Sequence, residues 1–426
     1  MLAKRIVSSL LPFVLALSLT LAGQAGSAGA APPSGTAAIV TWNGIAVNAS
    51  VLVAKQAPAQ SYIYISFAQA AVYDAVVAIE GGFQPYHFQM AGHHHNASVE
   101  AAVASAAHDV LAHYFPAQQA TFDAALATSL AAVPDNPNKA DGIAIGQASA
   151  ASLIAFRQGD GLEANIGFTM PAPAPGVWQL PAGQVPQIPW LSKLRPFMLN
   201  SPDQFRPGPP PALNSPEYAA SFNETKYFGG ANSLYRNAEM TDIARFWTSS
   251  NAIQDENIYA GIAVNDHLSP VQAARLFAMG YMVVSDALVA CWDAKYTYLA
   301  WRPSFAIPQG DTDGNPLTVG DSTWKSLVAT PPHPEYPSAH SCGSEAEAYV
   351  LEAFMGTPNI NIDVIGTVPG LAQTTRHYQT VGQLIDEVAN ARIWGGLHFR
   401  FSTTTGIRLG QQVASWDLER YFQPVW

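Results

Sequence analysis

Three separated stretches of the chain concentrate the residue types that bind and process an anion. The first runs from Lys295 to Pro303 and reads Lys-Tyr-Thr-Tyr-Leu-Ala-Trp-Arg-Pro. If it is helical to Arg302, Lys295 and Arg302 lie about two turns apart on one face, with Pro303 ending the helix just beyond. Two cations on one face repel unless an anion or carboxylates lie between them. The second stretch, Pro331 to Ser341, reads Pro-Pro-His-Pro-Glu-Tyr-Pro-Ser-Ala-His-Ser. Its prolines keep the approach extended, and Ser338-Ala339-His340 then opens a helical pattern running to Met355. The free N–H groups of such a helix start, with the hydroxyl of Ser338, can cradle an oxyanion, and His340 is a proton donor or acceptor near neutral pH. The third is Arg392-Ile-Trp-Gly-Gly-Leu-His398-Phe-Arg-Phe-Ser402. There Gly395-Gly396 breaks a helix predicted over 383–394 and can return His398 toward Arg392.

Taken singly, each stretch also fits an ordinary reading: a solvated basic face, an N-cap with a satisfied histidine, a helix end beside a core histidine. Taken together they supply three cations, a hydroxyl, backbone donors and two histidines. A tetrahedral oxyanion requires charge neutralisation, directed donors, one nitrogen nucleophile and one acid/base, which is this set. The chain has no Ser-His-Asp arrangement with elbow glycines, no clustered metal-ligand motif and no nucleotide-type phosphate loop.

The elements that must position these residues read as helices. Apolar and small residues at helical spacing predict helices over 61–79, 98–114, 120–130, 141–158, 241–246, 256–266 and 270–292. No run of alternating strands stands out. The expected fold is all-α, two four-helix-bundle-like halves joined by long proline-rich loops. A segment from Met170 to Pro216, with Trp178, Trp190, Phe197 and Phe205, is expected mainly to wrap over the helices, with a wall or lid of the site as the alternative role. Asp311-Thr-Asp-Gly-Asn315 reads as a turn rather than a calcium loop, since it lacks the spacing and the terminal glutamate. His93-His94-His95 reads as a solvated loop triplet.

With 426 residues, 49% hydrophobic and 12% charged, the chain has ample material for a large core. A net charge of −11 argues against nucleic acid and anionic membrane surfaces as partners. Lys4 and Arg5 precede an apolar run to Ala22 and small residues ending at Ala30, the order of a secretory signal. The expected organisation is therefore a leader over 1–30, an N-terminal helical region with its wrap over 31–240, and a C-terminal oxyanion-site region over 241–426. The mature protein is expected to be secreted or periplasmic, without a membrane span. The two cysteines, Cys291 and Cys342, flank the motifs and could form one bridge or stay free.

The three stretches resemble the signature shared by vanadium-dependent haloperoxidases and type 2 phosphatidic acid phosphatases. That signature is Lys-x6-Arg-Pro, Pro-Ser-Gly-His and Ser-Arg-x5-His. Order and spacing match at Lys295 to Pro303, Pro337 to His340, and Ala391 to His398. Trp292, Asp313-Gly-Asn, His333-Pro-Glu-Tyr-Pro, Gly395-Gly396, Asp74 and Arg245-Phe-Trp extend the likeness toward the secreted bacterial haloperoxidase-like branch.

The resemblance implies that His398 binds vanadium axially, or serves as phosphohistidine nucleophile in a phosphatase, and that His340 is the acid/base. Lys295, Arg302, Ser338, Arg392 and the Ala339 N–H would hold the equatorial oxygens, and His333 with Trp292 would tune the halide toward bromide or iodide. It implies vanadate as cofactor and hydrogen peroxide, halide and a small organic acceptor as partners. The phosphatase alternative implies a soluble phosphate ester instead. Three departures stand out: Ala339 for glycine, Ala391 for serine, and Ser402 where the family carries an aspartate. A carboxylate at that last position would orient His398, so its loss implies weakened catalysis, or a protein that only binds oxyanions.

Overall fold

The computed structural model describes residues 34–92 and 94–425; the leader expected over 1–30 and His93 lie outside them. In chain order the helices are α1 (Ser34–Val47), α2 (Pro58–Glu80), α3 (Val99–Tyr114), α4 (Gln119–Ala131) and α5 (Pro137–Arg157). After the proline-rich segment come α6 (Pro216–Gly229), α7 (Ala238–Phe246), α8 (Asn251–Asn265), α9 (Pro270–Tyr298) and the single turn α10 (Pro303–Ala306). The chain then forms α11 (Ala339–Met355), a hairpin of β1 (Asn359–Ile365) and β2 (Thr375–Thr380), α12 (Val381–Trp394) and α13 (Arg400–Arg420). The fold is all-α apart from that antiparallel hairpin.

The spine is α9. Ser269 caps its first turn reciprocally with Gln272, and Pro270 sits where its missing N–H costs nothing. From Ala273 to Lys295 nearly every residue is buried, because α2 packs on one side and α11 and α13 on others. A helix apolar all round must be enclosed in this way. Small residues set the separations. A Cβ added at Gly406 or Gly410 of α13 would fall 2.7 Å from the Ser338 carbonyl oxygen or 2.4 Å from that of Cys342. These glycines therefore let α13 lie directly against the first turns of α11.

Two buried aspartates fasten loops to the helices. Asp74 of α2 accepts the N–H groups of Tyr86, His87 and Phe88. Asp286 of α9 accepts those of Phe197, Met198 and Leu199. The second anchor explains how the 170–216 segment holds its course with little regular structure. Its own Trp178 and Trp190 are buried, and its Gln187 reaches the cavity described below.

Several sequence expectations need correction. Helix α9 ends at Tyr298, where Leu299 takes a left-handed conformation, so it does not reach Arg302. Pro303 begins the next turn instead, with Arg302 as its N-cap. The hairpin escaped notice because Ile360, Ile362 and Val364 alternate inward while the partner strand buries Arg376 and Tyr378. That second strand carries no apolar alternation of its own. Helices α1, α6 and α13 were also missed.

By length and composition three stretches are apolar enough to span a membrane: Ser34–Val53, Pro58–Glu80 and Pro270–Tyr298. The last two are helices whose apolar windows are 94% buried by protein; their hydropathy reflects a core position.

One buried cluster lies away from the three motifs. The Tyr62 hydroxyl donates to Asp255, and Asp255 shares a hydrogen bond with Glu347 of α11. Burial raises Asp255 to about 7, against hydrogen bonds from Tyr62 and Glu347 that lower it; burial also raises Glu347 well above the carboxylate range, with the Asp255 charge adding to it. The folded protein thus keeps protons that the unfolded chain has already released, so stability from this pair falls as pH rises from the ordinary carboxylate range toward 7. Glu347→Gln removes one of these groups. Its melting temperature relative to wild type is expected to climb between pH 4.5 and 7.5, read by thermal melts across that range; a pH-independent difference would contradict the pairing.

Candidate active site

Four chain segments converge behind the start of α11. Lys295 lies in the last turn of α9, and its ammonium donates to the carbonyls of Pro334 (2.8 Å) and Glu335 (3.0 Å). Arg302 follows the left-handed turn at Leu299. The extended 331–337 segment is tied to that connection by the Glu335 N–H on the Ala300 carbonyl (2.9 Å). The end of α12 brings Arg392, and Gly396 with φ of 73° reverses the chain. A Cβ at Gly396 would fall 2.4 Å from the Gly229 carbonyl oxygen, so both the turn and the packing on α6 require glycine. The N–H groups of Leu397 and His398 then close on the Arg392 carbonyl at 3.0 and 3.3 Å. The expected return of His398 toward Arg392 is thus made by the backbone.

Arg302 joins these segments. Its Nε donates to the His333 carbonyl (3.0 Å), one terminal nitrogen to the Leu397 carbonyl (2.9 Å) and His398 Nε2 (3.1 Å), the other to His333 Nδ1 (2.9 Å). Arginine has no acceptor, so His398 Nε2 must be the accepting nitrogen and His398 Nδ1 must carry the proton. That proton goes to Glu335 Oε1 at 2.9 Å. The same oxygen accepts the Phe399 N–H at 3.0 Å. A carboxylate therefore fixes the His398 ring in the tautomer whose Nε2 lone pair faces the cations.

This supplies from Glu335 what was expected to be missing at Ser402. The Ser402 hydroxyl lies 3.3 Å from the same Nδ1 and adds little to a carboxylate at 2.9 Å. Sequence reasoning passed over Glu335 although a signal was present, since it is the only acidic residue within the three stretches. It also missed the backbone carbonyl of Trp247, which accepts from Arg392 (2.7 Å) and is within hydrogen-bonding reach of His340.

Ser338 caps α11, its hydroxyl accepting the Ser341 N–H at 3.4 Å. Ala339 and His340 occupy the first turn, whose N–H groups have no intrahelical partner. The predicted residues divide into two tiers. Trp292, His333, Ala339, His340, Arg392 and His398 line one cavity of about 380 Å³. Lys295, Arg302 and Ser338 stand directly behind them, with no exposed surface. The rings of Trp292 and His333 lie against each other at 5.0 Å between centroids. Cys291 and Cys342 are both buried and free. Ala391 is fully buried in the packing of α12, and Asp293, on the far side of α9, pairs with Arg206.

The electrostatics are those of an anion site. Three buried cations face one acidic side chain, Glu335, which burial raises to about 7 against the Phe399 N–H, Arg302 and Lys295 that pull it down. Burial lowers Lys295 to about 8, Arg302 to about 10 and Arg392 to about 9; the Arg302 charge adds to the effect on Lys295 and Arg392, while Glu335 opposes it at Arg302. Burial and the same cations hold His340 and His398 well below the usual histidine range, so both rings are neutral at pH 7. The Arg392 Nε is buried with no hydrogen-bond partner, a donor aimed at nothing in the protein. Surplus charge, an orphaned donor, a helix start and a lone pair on His398 together fit an oxyanion bound through its central atom. By contrast, no group of three or more His, Cys, Asp or Glu could hold a metal cation among the described residues.

Comparison with known proteins bears on the fold and the family resemblance. Residues 275–425 match the family described as the VCPO second helical-bundle domain. The vanadium chloroperoxidase of Curvularia inaequalis is 28% identical over 181 aligned residues, covering 32% of this chain and 29% of that protein. The chain thus spans less than a third of that relative's length. Among solved structures, a bacterial vanadium-dependent iodoperoxidase superposes with a TM-score of 0.75 at 23% identity, covering 93% of this chain and 98% of the other. A bacterial vanadium-dependent chloroperoxidase gives 0.71 at 17% identity, covering 87% and 93%. The superfamily resemblance carried by the three motifs is borne out, and the fold is the helical one of these proteins. Histidine-selective ¹⁵N labelling checks the tautomer: His398 is expected to remain neutral and Nδ1-protonated from pH 8 to below pH 6, and Glu335→Gln to disturb that signature more than Ser402→Ala.

Proposed function

We propose that this chain, whose residues 275–425 match the VCPO second helical-bundle domain, is a vanadium-dependent haloperoxidase oxidising bromide or iodide with hydrogen peroxide. The observation that carries the reading is the Glu335–His398–Arg302 chain of hydrogen bonds, which presents a neutral imidazole Nε2 inside a buried ring of cations. His398 would hold vanadate through Nε2, with Arg302, Arg392, Lys295, Ser338 and the Ala339 N–H on its oxygens. When bound, vanadate supplies a Lewis acid that activates peroxide for oxygen transfer to halide without itself changing oxidation state.

The protein's own part is binding, charge and proton management. Lys295 uses two of its three N–H donors on backbone carbonyls and keeps one for the anion. His340, neutral and in contact with the cavity, takes the proton of incoming peroxide on the ring nitrogen not engaged by the Trp247 backbone, then returns it as water leaves. His333 and Trp292 form the wall where halide would approach, and an indole and an imidazole in tilted contact suit a large polarisable halide. The leader read at residues 1–30 would place this chemistry outside the cytoplasm.

Purified protein given vanadate, peroxide and bromide or iodide is expected to halogenate an acceptor dye only when vanadate is present. Hydrolysis of a phosphate ester, inhibited by vanadate and without dye halogenation, would replace this reading with a phosphatase using His398 as nucleophile. Retained vanadate binding with neither activity would leave only an oxyanion-binding protein. His398→Ala is expected to abolish vanadate binding, whereas His340→Ala should spare it and lower turnover by about 10²–10⁴-fold. Glu335→Gln is expected to weaken vanadate binding by about 10–100-fold, as loss of a ligand-orienting carboxylate does. Vanadate titrations followed by fluorescence or ⁵¹V resonance separate these cases.

A further inference from the structure

The cavity that reaches His340 and His398 at one end is lined at its other end by Glu347, Ser61 and Tyr62. Its walls are largely apolar, and Val284 and Leu288 pack beside Gly343, midway along α11 between His340 and Glu347. Glu347 is 6% exposed, and its Oε1 has no hydrogen-bond partner. Behind it Asp255 is equally enclosed, holding the Tyr62 hydroxyl. Among the described residues no lysine, arginine or histidine pairs with either carboxyl. Burial favours the protonated form of both acids, so they stand without a countercharge, and the unpaired Glu347 oxygen is an acceptor at the cavity wall.

We propose that the Glu347 end of this cavity binds the ammonium group of a small aryl-alkyl amine, whose apolar body lies along Val284 and Leu288 with its aromatic end toward His340. Three observations favour that occupant. An ammonium donates to the unpaired Glu347 oxygen, and its charge lets Glu347 release its proton to solvent. The apolar walls and the volume of about 380 Å³ suit an organic body; a calcium ion, which takes six to eight oxygen ligands, would find too few here. The span also fits, because His340 and Glu347 stand seven residues apart on one face of α11, about 10 Å along the helix.

The amine site does not rest on the haloperoxidase reading, but the role of its occupant does. Under that reading the amine is the halogen acceptor. Hypohalous acid generated at the cationic end replaces an aromatic C–H hydrogen with halogen, and that hydrogen leaves in the water formed.

Isothermal titration of the full chain with 2-phenylethylamine and with the uncharged isostere 2-phenylethanol tests the site. The amine is expected to bind at least about tenfold more tightly, the margin of a charge-assisted over a neutral hydrogen bond, and Glu347→Gln is expected to erase that preference. Equal binding of both compounds by the wild type overturns the proposal, as does a preference that survives in Glu347→Gln. If the variant does not fold, the wild-type comparison decides alone. Vanadate binding by the wild type, measured in parallel, separates the two claims. Amine preference without vanadate binding supports this site and removes the function proposed above; vanadate binding without amine preference overturns this site alone.

Discussion

One fully buried guanidinium holds the site together. Arg302 reaches the carbonyls of His333 and Leu397 and the ring nitrogens of His333 and His398. It thereby clamps the connection after α9, the extended segment before α11 and the turn after α12. A buried arginine is tolerable only when its donors are satisfied and its charge is balanced. Here four of the five N–H donors are engaged by the protein, while the balancing falls to Glu335 alone against three cations. The remaining imbalance is what gives the site its affinity for an anion, and it exists because α2, α9, α11 and α13 exclude water from around it. The fold's thick apolar spine and the site's electrostatic demand are two aspects of one arrangement.

The glycines and the chain reversals translate that demand into geometry. Gly396 turns the chain so that Arg392 and His398 approach from the same side. Gly406 and Gly410 let α13 press on the first turns of α11, seating Ser338 and Ala339 beneath the cavity. Substitution at any of these would displace backbone, not only side chains, because the atoms in the way are carbonyl oxygens.

Much of this was legible in the sequence, for identifiable reasons. Helices α2, α3, α5 and α9 carry long runs of small and apolar residues, and burial on several faces leaves periodicity intact. The motifs declared which cations, which hydroxyl and which histidines belong together. What could not be read was the direction of α13, whose Thr403-Thr404-Thr405 and two glycines lower helix propensity until packing on α11 offsets it. The hairpin was hidden by an arginine and a tyrosine in the inward positions of β2. Glu335 was hidden differently. Reasoning by position sought its carboxylate four residues beyond His398, whereas the structure delivers it from a strand-like segment 63 residues earlier. A function can be kept while the residue performing it moves to another part of the chain, and only the folded arrangement shows the exchange.

Helix α11 links the two halves of the cavity's electrostatics. Its first turn contributes N–H groups and His340 to the cationic end, and its middle contributes Glu347 to the acidic end. The helix dipole favours an anion at the first turn and loses force within a turn or so, so a carboxyl at Glu347 gains little from it and must find stabilisation elsewhere. The protein provides hydrogen bonds there and no cation. A cavity with surplus positive charge at one end, proton-holding acids at the other and apolar walls between them is polarised along its length. Such a field orients a molecule with a cationic head and an uncharged body, turning the body toward His340 and keeping the head away from the arginines. Orientation would then follow from long-range repulsion as much as from contact, which is how a cavity with few directional groups along its walls can still impose one pose.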